Sequence, residues 1–368
     1  MTVPWVLKII VCLIYCRVTF GELKVLQTVF RHGNRMPTKE SFYPKDPYIN
    51  YTYKPDGRGS LTNIGKMSAF KLGQYFRERY DQFLGPCYSK KDIWFRADEV
   101  DRVVMTGELV AAGLYPPCNE QRWNSDLNWQ PIPVWAPPIS NDYLYNGVFC
   151  NNYKKWRNDV EKTDSEVIEF EERNKDVYDY LSTYTGGNIT QLRVLGLRQY
   201  LYAQEDIGLR LPKWTKSVFP NGRLDELAEY DIVIRTRTPE LKQLLGGVWL
   251  LEWLNHIDAH LNKSDTRKAF MYAAHELNLA AILTTLDNYD NEIPSYSSSL
   301  MFELHEEENE YYVQVLYRNN GKIRTLTFPD CDDVTYCPLD VFREYIKPLL
   351  PSNPKIACGE GKKSTSLY

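Results

Sequence analysis

The chain has 368 residues, 43% of them hydrophobic and 25% charged, enough for one large core or a core carrying a sizeable insertion. Its formal net charge is -4. The basic residues form no stripe, which argues against a nucleic-acid partner.

Residues 1–21 read as a secretion signal. Val6 to Cys16 is apolar apart from Lys8, is too short to span a bilayer, and is followed by Thr19-Phe20-Gly21 at cleavage spacing. The mature chain is therefore expected to start near Glu22, in an extracellular setting. No second long apolar stretch follows and the C-terminal GKKSTSLY is polar, so a membrane span or lipid anchor is not expected. Six cysteines remain after the signal: Cys87, Cys118, Cys150, Cys331, Cys337 and Cys358. An even number in a secreted chain predicts disulfides; many pairings are open, and spacing alone singles out Cys331–Cys337 as a short closed loop. No C-x-x-C pair suggests zinc. Asn50-Tyr-Thr, Asn188-Ile-Thr and Asn262-Lys-Ser are glycosylation acceptors that fit export.

Leu23 to Phe30 reads as a strand, and Arg31 follows it immediately. Ser60 to Arg79 reads as a helix with Ile64, Met67, Phe70, Leu72, Tyr75 and Phe76 on or near its apolar face. Asp92 to Arg96 is a short strand, and Asp101 to Leu114 a helix ending at Pro116-Pro117. Trp123 to Tyr145, rich in Pro, Trp and Asn, reads as a long loop. Tyr153 to Tyr184 is charged and helical up to Gly186-Gly187, and Gln191 to Ile207 and Leu224 to Ile232 are helical too. Pro239 opens a long helix with Leu250, Leu254, Ile257 and Leu261 on its apolar face. Ala269 to Ala274 is a strand and Leu277 to Leu286 a helix. Leu300 to Leu304 and Tyr311 to Tyr317 form a hairpin around EEENE, Arg324 to Phe328 is a further strand, and Pro338 to Leu349 a closing helix. This pattern predicts an α/β fold: a doubly wound, mostly parallel sheet flanked by helices, with an inserted, mainly helical cap. The expected division is a discontinuous core over 22–118 and 240–368, with the cap over 119–239.

Three segments share one shape: a strand, then charged residues, then a helix. They are VLQTVF-RHGNR, DIWFRADEVDR and AFMYAA-HE-LNLAAIL. Open α/β sheets bind ligands beyond the carboxyl ends of their strands. If these three are parallel neighbours, Arg31, His32, Arg35, Arg102, His275 and Glu276 share one crevice. Such a site suits a phosphoryl group, whose oxygens match arginine forks and helix N-termini. A neutral histidine is a competent nucleophile and a carboxylic acid can protonate the leaving alkoxide, so an acidic optimum follows. Arginines that neutralise the phosphoryl oxygens make a metal or other cofactor unnecessary. His256 and His260 stand at i, i+4, a zinc-like spacing, but Ile257 stands where a metalloprotease carries its glutamate, so they are read as a solvated helix face. His305 is read as a surface residue at a strand end.

Arg31-His32-Gly33-Asn34-Arg35-Met36-Pro37 resembles the R-H-G-x-R-x-P signature of the histidine acid phosphatases. LTNIGKM (61–67), DRVVMTGELVAAGLYPP (101–117), His275 and PSYSSSLMFEL (294–304) are similar to the same family. The resemblance covers nearly the whole mature chain and is strongest to the insect venom acid phosphatases, with similarity to the prostatic and lysosomal ones. It implies His32 as nucleophile, Arg31, Arg35, Arg102 and His275 as phosphate ligands, and the residue after His275 as proton donor. It also implies the pairs Cys87–Cys118 and Cys150–Cys358, a small phosphomonoester as substrate, and a homodimer as one open assembly. One departure stands out: most of the family has His-Asp where this chain has His275-Glu276. The extra methylene means the carboxyl must fold back, with Asp101 as the runner-up acid. The alternative function is a catalytically weak or inactive relative that binds a phosphorylated ligand; a phytase-like or phosphomutase specialist is a third reading.

Overall fold

The structure, a computed structural model, describes residues 21–331 and 335–359. The expected signal peptide lies, apart from Gly21, outside the described residues. The strands are β1 (Glu22–Arg31), β2 (Ile93–Ala97), β3 (Val134–Trp135), β4 (Ala269–Ala274), β5 (Ser299–Glu307), β6 (Glu310–Asn319), β7 (Lys322–Thr325) and β8 (Cys337–Pro338). They form one sheet in the order β3-β2-β4-β1-β5-β6-β7, with β8 paired to β6. From β3 to β1 every neighbour is parallel, and from β1 through β7 every neighbour is antiparallel. The parallel half meets the α/β expectation. The antiparallel half follows from the hairpin, whose two-residue turn Glu308-Asn309 has positive φ at both positions.

β4 shows why the sheet is covered on both faces. All six of its residues are buried. Phe270, Tyr272 and Ala274 enter one apolar cluster with the helix Val248–Leu261, while Ala269, Met271 and Ala273 enter the other with the helices Asn63–Arg79 and Asp101–Leu114. On Asn63–Arg79 the buried residues are Gly65, Ala69, Leu72, Gly73 and Phe76, whereas Ile64 and Met67 are exposed, contrary to the expected face. Small residues let two helices touch backbone to backbone: a Cβ on Gly73 would collide with the carbonyl of Val110.

The charged stretch 153–184 is three helices, Asn151–Thr163, Ser165–Arg173 and Lys175–Thr185. Asp164 caps the second by accepting from the backbone of Glu166 and Val167. The third packs with Gln191–Asp206 and Arg223–Arg235 around Val194, Leu197, Tyr200, Leu201 and Leu224, while Tyr153 and Val160 of the first join a separate cluster with Val167 and Ile234. Tyr43, from the loop after β1, joins the cluster around Tyr200. Within the stretch read as loop, Val134–Trp135 instead extends the sheet beside β2. The helix opened by Pro239 is interrupted by a five-residue π-turn, Gln243–Gly247, before Val248–Leu261 continues.

Disulfides join Cys87–Cys118, Cys150–Cys358 and Cys331–Cys337. Asn50, Asn188 and Asn262 are all exposed. Among the described residues no helix is long and apolar enough to cross a membrane.

Two histidines sit differently from their expected places. His256 is no solvated residue: its ring stacks on Phe270 at 3.5 Å and its Nε2 lies 2.7 Å from the Tyr272 hydroxyl, and burial pushes its pKa down to about 4. His305 is buried, with Nε2 2.9 Å from Glu303, because both faces of β5 are covered from Ser299 to His305. No group of three or more His, Cys, Asp or Glu among the described residues could hold a metal.

Candidate active site

The register of the parallel strands sets the site. Arg31 is opposite Ala274 on β4, and Ala97 of β2 is opposite Ala273. The residues that follow, His32, Asp98 and His275, therefore leave the sheet side by side at its carboxyl edge. The His32 amide continues the ladder by donating to the Ala274 carbonyl at 3.0 Å. Gly33 lies against the N-terminal turn of the helix Asn63–Arg79, where a Cβ would strike the Gly65 carbonyl. The motif glycine thus serves close approach of backbone to backbone.

His32 is fully buried and its ring is held at both nitrogens. Nδ1 lies 2.9 Å from the Gly33 carbonyl, which can only accept, so Nδ1 carries the proton. Nε2 keeps its lone pair, and Arg102 Nε donates toward it from 3.3 Å. Burial, with Arg102, Arg31 and His275 nearby, holds the imidazole well below its ordinary pKa. The ring is a neutral base aimed into the cavity.

The arginines surround it. Arg31 donates Nη1 to the Pro294 carbonyl at 2.7 Å, lies over the Tyr296 ring at 4.1 Å, and places Nε 2.9 Å from Glu276 as a close charge contact. Arg35 is buried and donates to Met36 O and to Gln199 Oε1, each at 3.1 Å. Burial and the neighbouring Arg35 bring the Arg102 pKa down to about 10, so it stays charged at neutral and acidic pH.

His275 and Glu276 begin the helix that follows β4. Nε2 of His275 is 2.8 Å from Asp98, which also accepts from Asn146 Nδ2 at 3.1 Å and from the Glu99 amide at 3.0 Å. Burial opposes ionisation of Asp98, but these donors outweigh it and its pKa is lowered. Glu276 folds back as its extra methylene requires: Oε2 lies 2.9 Å from Arg31 Nε and 4.0 Å from His32 Nε2, and Oε1 accepts from Gln199 at 2.6 Å. Burial alone would raise its pKa; Arg31, His32, His275 and Arg35 together hold it well below the usual carboxylate range. All six sequence-derived residues therefore gather at one place. Asp101 does not join them: it is exposed on the first turn of its helix, and the carboxylate that enters the cavity from this segment is Asp98.

The cavity is about 370 Å³. Its inner end is His32, Arg35, Arg102, His275 and Glu276. The rest of its lining mixes apolar side chains, among them Leu144, Val148, Phe149, Ile232, Leu245 and Leu277, with polar ones that include Glu40, Ser41 and Arg235. Arg235 is bound to Asp231 at 2.7 Å and to the Tyr153 hydroxyl at 3.1 Å.

The profile of the histidine phosphatase superfamily (branch 2) matches residues 22–318. The chain belongs to that family. It is 36% identical over 344 residues to the venom acid phosphatase Acph-1 of Apis mellifera, covering 92% of this chain and 88% of that one. It is 32% identical over 348 residues to the human prostatic acid phosphatase, again 92% and 88%, and 32% identical over 346 residues to the human lysosomal acid phosphatase, 92% and 80%. Among solved structures the Citrobacter braakii phytase has a TM-score of 0.68 at 20% identity, covering 92% of this chain and 99% of that one, a likeness of fold.

Within this histidine phosphatase, two groups at the site escape the motifs. Asp98 carries a signal in hindsight, a carboxylate directly after a strand of the repeated strand-then-helix shape. Gln199 carries none, because it comes from the distant helix Gln191–Asp206 and reaches the site only through tertiary packing.

Proposed function

We propose that this chain is a secreted acid phosphatase that hydrolyses phosphate monoesters through a phosphohistidine on His32. The observation that carries this reading is the His32 ring itself: Nδ1–H committed to the Gly33 carbonyl, and an unprotonated Nε2, accepting from Arg102, set among Arg31, Arg35 and Glu276. In the first step Nε2 bonds to phosphorus as the ester P–O bond breaks, and the leaving oxygen takes the proton of Glu276. In the second step water attacks phosphorus, Glu276 takes the water proton, and the P–N bond breaks to restore neutral His32. The arginines and His275 stabilise the equatorial oxygens, and Asp98 fixes the orientation of the His275 ring.

The proton has a natural source. A phosphate ester's second pKa is about 6, so below that the ester arrives as a monoanion. Bound against the ionised Glu276, the phosphoryl group and the carboxylate repel each other unless they share that proton, so binding itself loads the acid. An acidic optimum follows. The apolar side chains of the lining favour an aryl or alkyl leaving group, and Arg235, already paired with Asp231 beside the Glu40 carboxylate of the same lining, is poorly placed to hold a second phosphate. Three disulfides and three exposed acceptor asparagines support export, with cleavage just ahead of β1.

The test is hydrolysis of 4-nitrophenyl phosphate, an alkyl phosphate and inositol hexakisphosphate by purified secreted protein from pH 4 to 8, with and without chelator. Chelator-insensitive turnover of both monoesters, fastest in acid and with the hexakisphosphate slowest, is expected. Loss of activity in chelator, restored by zinc or magnesium, contradicts the mechanism. Phosphate binding without turnover means the chain is a binder.

A further inference from the structure

We infer that Gln199, on the helix Gln191–Asp206, is a positioning residue that decides which oxygen of Glu276 carries the catalytic proton. The inference rests on the phosphatase reading above.

Its amide bridges two members of the site. Oε1 accepts from Arg35 Nη2 at 3.1 Å, and Nε2 donates to Glu276 Oε1 at 2.6 Å. A guanidinium only donates and a carboxylate only accepts, so the amide has one orientation; a flip would set donor against donor and acceptor against acceptor. When Glu276 is protonated, Oε1 must still accept from Nε2–H. The proton is then confined to Oε2, the oxygen beside Arg31 and 4.0 Å from His32 Nε2, on the side where the ester bond breaks. An aspartate at position 276, one methylene shorter, would draw its carboxylate away from this amide, so the glutamate and the glutamine belong together.

The helix that carries Gln199 is tied to the motif loop on either side of it. The next residue, Tyr200, donates its hydroxyl to buried Asp46 at 2.7 Å, Gln204 donates to the same carboxylate at 3.0 Å, and Asp206 accepts from Asn34 at 3.0 Å. Asn34 and Asp46 lie in the chain that leaves β1, so the amide keeps its height over Arg35. The charged and titratable groups that face Glu276 come from every side: Arg31, His32 and Arg35 from the β1 turn, His275 from the β4 tip, and Arg102 from the helix after β2. Gln199 alone among these partners cannot ionise. It can orient the acid without adding to the charge that sets its ionisation.

The experiment is single-turnover phosphorylation of Gln199→Met, of similar length and helix propensity. A misplaced proton matters only for a leaving group that needs one. An alkyl phosphate is expected to slow by roughly 10-fold or more and 4-nitrophenyl phosphate by less than about 3-fold, with inhibition by inorganic phosphate little changed. In the Glu276→Gln background the same substitution should leave the alkyl-to-aryl ratio unmoved, since no proton remains to place. Gln199→Glu supplies an independent reading if the methionine variant folds poorly. It still accepts from Arg35 but sets a second carboxylate against Glu276, so the pair shares a proton and the alkaline limb moves to higher pH. Equal slowing of both ester classes, an additive double variant, or an unmoved alkaline limb in Gln199→Glu overturns the inference. Failure of the phosphatase reading would look different: the wild-type chain itself would not be phosphorylated by the aryl ester.

Discussion

Replacing His32 with alanine is expected to lower kcat by about 10⁴-fold or more while inorganic phosphate still binds. The variant removes the nucleophilic nitrogen aimed into the cavity, yet leaves Arg31, Arg35 and His275 in place. Arg102 loses the acceptor it has at His32 Nε2, so its guanidinium can still turn to the anion. Stopped or steady-state assays with 4-nitrophenyl phosphate measure the rate, and competition by phosphate measures the binding. The wild-type pH profile carries the same signature. Because burial and the surrounding cations lower the His32 pKa, protonation sets in only below the ordinary histidine range, and the nucleophile stays neutral through mildly acidic pH. His32→Ala with wild-type turnover would remove the imidazole from the mechanism.

Glu276→Gln is expected to slow alkyl phosphates by about 10²–10⁴-fold, the usual cost of losing general acid catalysis, and 4-nitrophenyl phosphate far less. Nitrophenolate leaves as a stable anion; an alkoxide does not. The dependence of the phosphorylation rate on leaving-group pKa should steepen. The sign of the pH effect follows from the acid role: Glu276 must hold a proton in the complex, so activity falls as pH rises through its pKa there. Glutamine cannot titrate, and that falling limb should vanish. Phosphorylation in a single turnover is the step to measure, since hydrolysis of the phosphohistidine is common to every substrate. Equal slowing of both ester classes would make Glu276 an ordering group only. Asp98→Asn would then be the next variant, because Asp98 rather than Asp101 lines the cavity and holds His275.

The strand-tip cluster is legible in the sequence because each of the three segments carries its own evidence. A short apolar run ends in charge and passes into a helix, and parallel α/β sheets have one edge where such residues can meet. What stays illegible depends on contacts between distant segments. Ile64 and Met67 match the helical period of a buried face, but the helix is turned so that Gly65, Ala69 and Gly73 meet its neighbour; close backbone approach outweighs the larger side chains. Val134–Trp135 is too short for any periodicity and is a strand only because β2 offers an edge. His305 is buried because both faces of its strand are covered, which its polar neighbours conceal. Gln199 belongs to the site through long-range packing of the helix Gln191–Asp206 against the β1 turn, which local pattern cannot encode.

The most direct measurement is rapid mixing of wild-type protein with a radiolabelled phosphate ester, followed within the first turnover by alkaline quench and peptide mapping. Acid quench would destroy a phosphohistidine. The mechanism predicts alkali-stable, acid-labile label on the peptide containing His32, at Nε2, formed at least as fast as turnover and absent from His32→Ala. Turnover without label on that peptide, or label on His275 or a carboxylate instead, would contradict it.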